Sequence, residues 1–194
     1  MSVRAMRAQR AFTLIEMLVV VVILGTVLAL VAPSFREMIL MKRLSGINSQ
    51  LVTDLQFARS EAAARNAHVR VTFGNNGAMT CYSIYTYRSN AAFCDCTATP
   101  ACTTAGMQEI RRVMVPIDSS VSVMPANGMP TEFAFEPITG ALWEIPTDRI
   151  APPLDSYRIT ADINSSLRLH TTVGLSGRPT VCAPPGSKMQ VTEC

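Results

Sequence analysis

Lysine is almost missing from this chain: of 17 basic residues, only Lys42 and Lys188 are lysines, and the rest are arginines. Cationic contacts must therefore be of the planar, bidentate or stacked kind rather than mobile point charges. Histidine is as scarce, with only His68 and His170. Each sits in a strand-like run, where an ordinary strand histidine accounts for it. No HExxH helix, phosphate-binding glycine loop or recognisably spaced carboxylate pair occurs, and Ser176-Gly177 lacks the flanking glycine of a nucleophile elbow. Enzymatic activity, a cofactor and a resident metal are not expected. Internal repeats, low-complexity tracts and a second folded domain are also missing.

What the chain does have is one long apolar run. Residues 12–32 read FTLIEMLVVVVILGTVLALVA, with Glu16 as the sole charge. A helix from Phe12 to Phe35 would be roughly 36 Å long at ~1.5 Å per residue, enough to cross a bilayer. A secretory signal peptide would have a shorter apolar region followed by a small-x-small site. A carboxylate in lipid is costly, so Glu16 is a functional residue that needs a partner. The preceding eleven residues carry Arg4, Arg7 and Arg10 and no acid. The positive-inside rule keeps this leader cytoplasmic and sends the residues after the apolar run to the far side of the membrane. Removing the leader leaves 17 − 3 = 14 basic against 14 acidic residues, a neutral chain in place of the formal +3. Nothing global then points to nucleic acid or anionic lipid.

All six cysteines, Cys81, Cys94, Cys96, Cys102, Cys182 and Cys194, follow the apolar run. In an oxidising compartment an even set implies disulfides, although six cysteines allow about 15 pairings. Cys182 with Cys194 is expected, because both lie in the last short segment. Cys94 and Cys96 are too close to pair easily, so one should meet Cys102 and the other Cys81. A metal site at Cys94, Cys96 and Cys102 would lack a fourth nearby ligand and normal zinc spacing.

Pro33 should interrupt or kink the first helix. Beyond it, Leu44, Ile47, Leu51, Leu55, Ala58 and Ala62 fall at three- and four-residue spacings, the apolar face of an amphipathic helix. Asp54, Arg59, Glu61 and Arg65 fall mostly elsewhere, Glu61–Arg65 forms an i,i+4 pair, and Asn66 is a natural stop. Residues 68–73 and 80–87 alternate as strands around the turn signal Asn75-Asn76-Gly77. Tyr82, Tyr85 and Tyr87 do not share one side, which favours packing over a base-stacking platform. After a polar, cysteine-bearing excursion over 89–106, further strands are expected at 111–116, 121–124, 132–136, 141–145, 157–163 and 166–172. A proline-rich loop spans 146–154, and a turn at 174–178 leads into a last short strand. The expected class is α+β, a long N-terminal helix laid across an antiparallel sheet. Its segments are a leader (1–11), a membrane half-helix (12–35), an amphipathic half-helix (36–66) and a β head with a C-terminal tail (67–194).

Arg10-Ala11-Phe12-Thr13-Leu14-Ile15-Glu16 resembles the type IV prepilin motif. That resemblance implies cleavage between Ala11 and Phe12 by a prepilin peptidase and N-methylation of Phe12. It also implies that Glu16 neutralises the N-terminal ammonium of a neighbouring subunit in a fibre, assembled by an inner-membrane platform. The chain departs from the family at Ala11, where glycine is usual. Leu55-Gln56-Phe57-Ala58-Arg59-Ser60-Glu61-Ala62, followed by Arg65-Asn66, is similar to the GspH/FimT group of minor pilins and pseudopilins. Membership implies a pilin-like fold, a structural role in a type IV pilus or a type II secretion pseudopilus, and partners that are other pilins or pseudopilins. In the FimT branch a GRxR motif near the C-terminus is linked with DNA binding. Gly177-Arg178 matches its first half, but Thr180 stands for the second arginine. Arg168, His170, Arg178 and Lys188 are the residues from which a DNA-binding patch would have to be built.

Overall fold

The computed structural model describes residues 12–86, 93–143 and 155–194, with the side chains of residues 30–34 outside that description. The leader with Ala11, the Pro33 side chain, Tyr87 and the loop at 146–154 therefore lie outside the described residues. The chain divides into two units, Met1–Ile39 and Leu40–Cys194.

A single helix, α1 (Leu14–Arg65), contributes to both units. The helix is single and continuous, and the backbone stays helical through Pro33. A proline deletes one intrahelical bond while neighbouring turns keep theirs. In the first unit, large apolar side chains stand exposed along the helix, including Leu14, Val21, Ile23 and Leu28. Thr13 Oγ1 accepts the backbone N–H of Glu16 at 3.3 Å, satisfying one donor of the first turn. Among the described residues, no helix is long and apolar enough to cross a membrane.

In the second unit, α1 buries Leu44, Leu51, Leu55, Ala58 and Ala62 completely. The helix ends at Arg65 in a Schellman arrangement: Ala67 N donates to Ala62 O and Asn66 N to Ala63 O, at 3.2 and 3.3 Å. Asn66 takes a φ of 47°, a left-handed conformation that asparagine tolerates better than most residues. Arg65 grips Glu61 at 2.5 Å and Gln108 at 3.1 Å, tying the last turn to the sheet beyond it.

The head holds two antiparallel sheets where the sequence suggested a sheet. Strands β1 (Val69–Asn75), β2 (Met79–Thr86), β3 (Gln108–Pro116), β5 (Glu132–Phe135) and β6 (Leu142–Trp143) form the first, in the order β3-β2-β1-β5-β6. Strands β4 (Ser122–Pro125), β7 (Ser156–Asn164), β8 (Leu167–Gly174) and β9 (Pro179–Cys182) form the second, in the order β4-β7-β8-β9. The β1–β2 turn follows from its sequence: Asn75 and Asn76 side chains accept the N–H groups of Gly77, Ala78 and Met79, and Gly77 takes a φ of 83°.

Register separates the two faces of the first sheet. Val71 pairs with Ile84 and Phe133, and Phe73 with Tyr82; these residues join the helix stripe in one core with Tyr157, Ile159, Leu169 and Val173 of the second sheet. The aromatic rings of this core interlock, Phe133 and Tyr157 lying 4.3 Å apart between centroids. The opposite face carries Arg70, Thr72, Cys81, Ser83 and Tyr85, all of them buried. The cysteine-bearing excursion is stapled to it. Disulfides join Cys81 to Cys96 and Cys94 to Cys102, while a third joins Cys182 to Cys194. On this face Arg70 lies 3.6 Å from Glu132, which also accepts the Tyr85 hydroxyl at 3.2 Å.

Asp54 is a correction to the sequence reading. It lies on the inward stripe, only 1% exposed, instead of on the polar side. Its position three residues after Leu51 places it there by helical geometry. The Tyr82 hydroxyl donates to its carboxylate at 2.7 Å, and Arg111 pairs with it at 3.0 Å. Asn48 makes a second polar link, accepting the Thr171 hydroxyl of β8 at 2.9 Å.

Two outcomes are expected. Asp54→Ala leaves buried Tyr82 unsatisfied and deprives Arg111 of its acid, which should cost roughly 2–4 kcal/mol. Asp54→Asn, which keeps an acceptor for Tyr82, should lose less; equal losses in urea unfolding would contradict the role of that hydrogen bond. Burial raises the phenol pKa of Tyr82, Tyr85 and Tyr157, with Tyr85 pushed up to about 12. The stability they confer is full below the ordinary value of 10.0 and is lost as pH rises through their elevated values. Absorbance titration should show these three phenols ionising later than free tyrosine, together with alkaline unfolding.

Candidate functional site

Two stretches singled out in the sequence meet at one place. Arg59, half-buried on α1, donates from Nε to Gly140 O at 3.1 Å and from Nη2 to Thr139 O at 3.3 Å. Gly140 closes the β5–β6 turn, where Gly140 N bonds Glu136 O at 3.0 Å and Thr139 also engages the Glu136 carboxylate. Against this turn packs the β8–β9 turn. Gly177 N bonds Gly174 O at 2.8 Å, and Leu142 N bonds Leu175 O at 3.0 Å. A Cβ at Gly177 would lie 1.9 Å from Gly140 O, and one at Gly140 would lie 2.8 Å from Arg59 Cγ. Both glycines have positive φ, 72° and 65°. Glycine is therefore required twice, for conformation and for close backbone approach. Arg59 and the Gly177 turn thus form a structural junction between α1 and two hairpins, a role that helical periodicity alone did not reveal.

Arg178 follows at the rim of a cleft of about 380 Å³ shared with Gln56, Arg59 and Pro179. The expected cationic patch is not brought together. Arg168 sits at the start of β8, six positions from Gly174, which is roughly 20 Å at ~3.3 Å per residue. Arg168 lies 3.7 Å from Asp162, and Ser187, next to Lys188, accepts and donates around the Arg168 backbone. Arg168 and Lys188 therefore belong to one end of the β8–β9 hairpin, and Gly177 and Arg178 to the other. His170 pairs across the strands with Thr160, its Nδ1 lying 3.2 Å from the Thr160 hydroxyl. His68 packs against the Trp143 ring at 5.4 Å.

Toward the N-terminus, Phe12 and Glu16 are exposed, and Glu16 has no ion-pair partner among the described residues. No group of side chains able to hold a metal ion occurs among the described residues, and all six cysteines are in disulfides.

An N-terminal helix that begins apolar and exposed and ends packed on disulfide-braced antiparallel sheets defines a pilin-like subunit. The Prokaryotic N-terminal methylation motif matches residues 6–32. The family described as Type II transport protein GspH matches residues 48–166, more than half of the chain, and the chain belongs to that family. It is a prepilin-like minor pilin or pseudopilin, a structural subunit and not an enzyme. The methylation motif implies a membrane-anchored precursor that is processed and then assembles with other pilins. Two crystal structures of the type IV minor pilin FimU from Pseudomonas aeruginosa are similar. One shows 14% identity over 78% of this chain and 95% of that chain, with a TM-score of 0.49. The other shows 15% identity over 74% and 94%, with a TM-score of 0.46. No curated protein sequence gives a significant match.

Gly177→Ala should destabilise the head by roughly 2–4 kcal/mol through positive φ and backbone overlap. The melting temperature should fall by roughly 5–15 °C. An unchanged melting curve would show that the two turns do not meet as described.

Proposed function

We propose that the chain is a minor type IV pilin, inserted once through the bacterial inner membrane with a cytoplasmic leader and a periplasmic head. A prepilin peptidase cuts between Ala11 and Phe12, and Phe12 is then N-methylated. An inner-membrane assembly platform moves the subunit into a pilus. The observation that carries this reading is the joint occurrence of the methylation motif over 6–32 and the GspH domain over 48–166 on one chain. The physics agrees. The exposed apolar surface of α1 in the first unit requires cover, by lipid before assembly and by other helices afterwards. Glu16, the one acid of the apolar run 12–32, requires a positive partner when that cover is in place, and the methylated ammonium of a neighbouring subunit supplies it.

A second reading is favoured by the family description itself: a minor pseudopilin of a type II secretion system, acting in export of folded proteins. A DNA receptor, or an aid to adhesion or DNA uptake, is a third role. It draws less support, since Thr180 breaks the motif and Arg178 stands apart from Arg168 and Lys188.

Glu16→Ala should leave cleavage before Phe12 intact, read by mass spectrometry of the mature N-terminus, while incorporation into sheared fibres falls at least tenfold. Normal incorporation would remove the pairing role. Deleting the gene should abolish piliation under the first reading and exoprotein release under the second. Retention of both would refute assembly as the function.

A further inference from the structure

The outward face of the second sheet holds a groove that the subunit role does not use. Met124, Pro125, Ala126 and Asn127 form one wall, and Arg158, Thr160, Asp162, Arg168 and His170 line the rest, enclosing about 440 Å³. Register explains the convergence. On β7, Arg158, Thr160 and Asp162 alternate with buried Tyr157, Ile159 and Ala161; on β8, Arg168 and His170 alternate with buried Leu167, Leu169 and Thr171. Thr160 lies directly across from His170, Asp162 across from Arg168, and Arg158 diagonally beyond. Diagonal neighbours lie ~7–8 Å apart, within reach of arginine side chains. His170 is thus flanked by an arginine on each side.

We propose that this groove binds a compact phosphate group, held between Arg158 and Arg168 and hydrogen-bonded by His170 and Thr160. The two guanidiniums supply planar, fork-shaped donors suited to phosphate oxygens. Arg168 Nε is buried and has no hydrogen-bond partner among the described residues, a donor that an oxyanion in the groove would satisfy. His170 Nδ1 faces the Thr160 hydroxyl, which leaves Nε2 uncommitted among the described residues. Asp162 offsets part of the charge, so the lining carries 2 − 1 = +1 with His170 neutral and +2 with it protonated. Neither β4, the turn after it nor β9 adds a charged side chain. Lys188, Glu193 and the terminal carboxylate are the charged groups of the tail beside β9. Burial first, and then Arg158 and Arg168, hold the His170 imidazole below its ordinary value. A bound dianion opposes the two arginines and favours the imidazolium, so binding strengthens as pH falls through the His170 titration. The groove suits one small group rather than a duplex surface, and Gly177 and Arg178 take no part in it.

The test follows the imidazole resonances of the full chain in neutral detergent micelles. Only His68 and His170 contribute, and His68→Gln assigns them. At constant ionic strength, replacing chloride with inorganic phosphate should raise the His170 pKa by about half a unit or more, in a saturable way. His68 should not move, and exposed Arg158→Gln should lose most of the response with the spectrum otherwise intact. Arg168→Gln serves as the second variant. A parallel arm adds a short single-stranded oligonucleotide at the same phosphate concentration. Response to phosphate alone supports a free phosphate or phosphomonoester; response to both keeps the phosphate chemistry and admits a phosphodiester source. An unmoved His170, a response that survives both variants, or a response to the oligonucleotide only would overturn the proposal.

Discussion

Burial of one stripe of α1 is the constraint on which the head depends. Leu44, Leu51, Leu55, Ala58 and Ala62 have no exposed surface, and both sheets contribute side chains to cover them. Full burial of each large side chain is worth about 1.5–3 kcal/mol, but apolar contact alone does not set a helix's rotation or its position along a sheet. The polar residues within the stripe do so. Asp54 fixes the helix against Tyr82 and Arg111, and Asn48 fixes it against Thr171. The Val123 backbone N–H donates to the Thr80 hydroxyl at 3.1 Å, which joins the two sheets at one end of the same core.

The outer face of the first sheet poses a different problem. A sheet with one face on a helix ordinarily leaves its other face to water. Here that face is buried under the excursion stapled by Cys81–Cys96 and Cys94–Cys102. Gly74 is part of the fit, since a Cβ there would come within 2.9 Å of Cys96 Sγ. Covalent staples allow a largely polar segment to lie flat where its own apolar content would not hold it.

Much of this was legible in the sequence, and the unread parts share a cause. The helix stripe, its stop at Asn66, the Asn75-Asn76-Gly77 turn and most strands follow from local period and turn chemistry. The strands of the second sheet were visible as strands, yet nothing local says that β4 pairs with β7 and not with the β1–β3 group. Asp54 was assigned to the polar side because it is an acid; only Tyr82 and Arg111, distant in sequence, make its burial affordable. The prepilin-like N-terminus was the clearest functional signal, because it is a contiguous motif. The Arg59–Gly140–Gly177 junction joins residues 81 and 37 positions apart, and the Arg158–His170–Arg168 groove depends on strand register; neither leaves a contiguous trace.

The two glycines at the junction have a consequence for how this surface tolerates change. Where two turns touch main chain to main chain, neither can lengthen or take on a side chain without displacing the other and the arginine bound to them. The β5–β6 and β8–β9 turns therefore drift as a pair. Variety in what the head displays must come from the neighbouring strand faces and disulfide-bounded loops, where side chains can be exchanged without moving the helix.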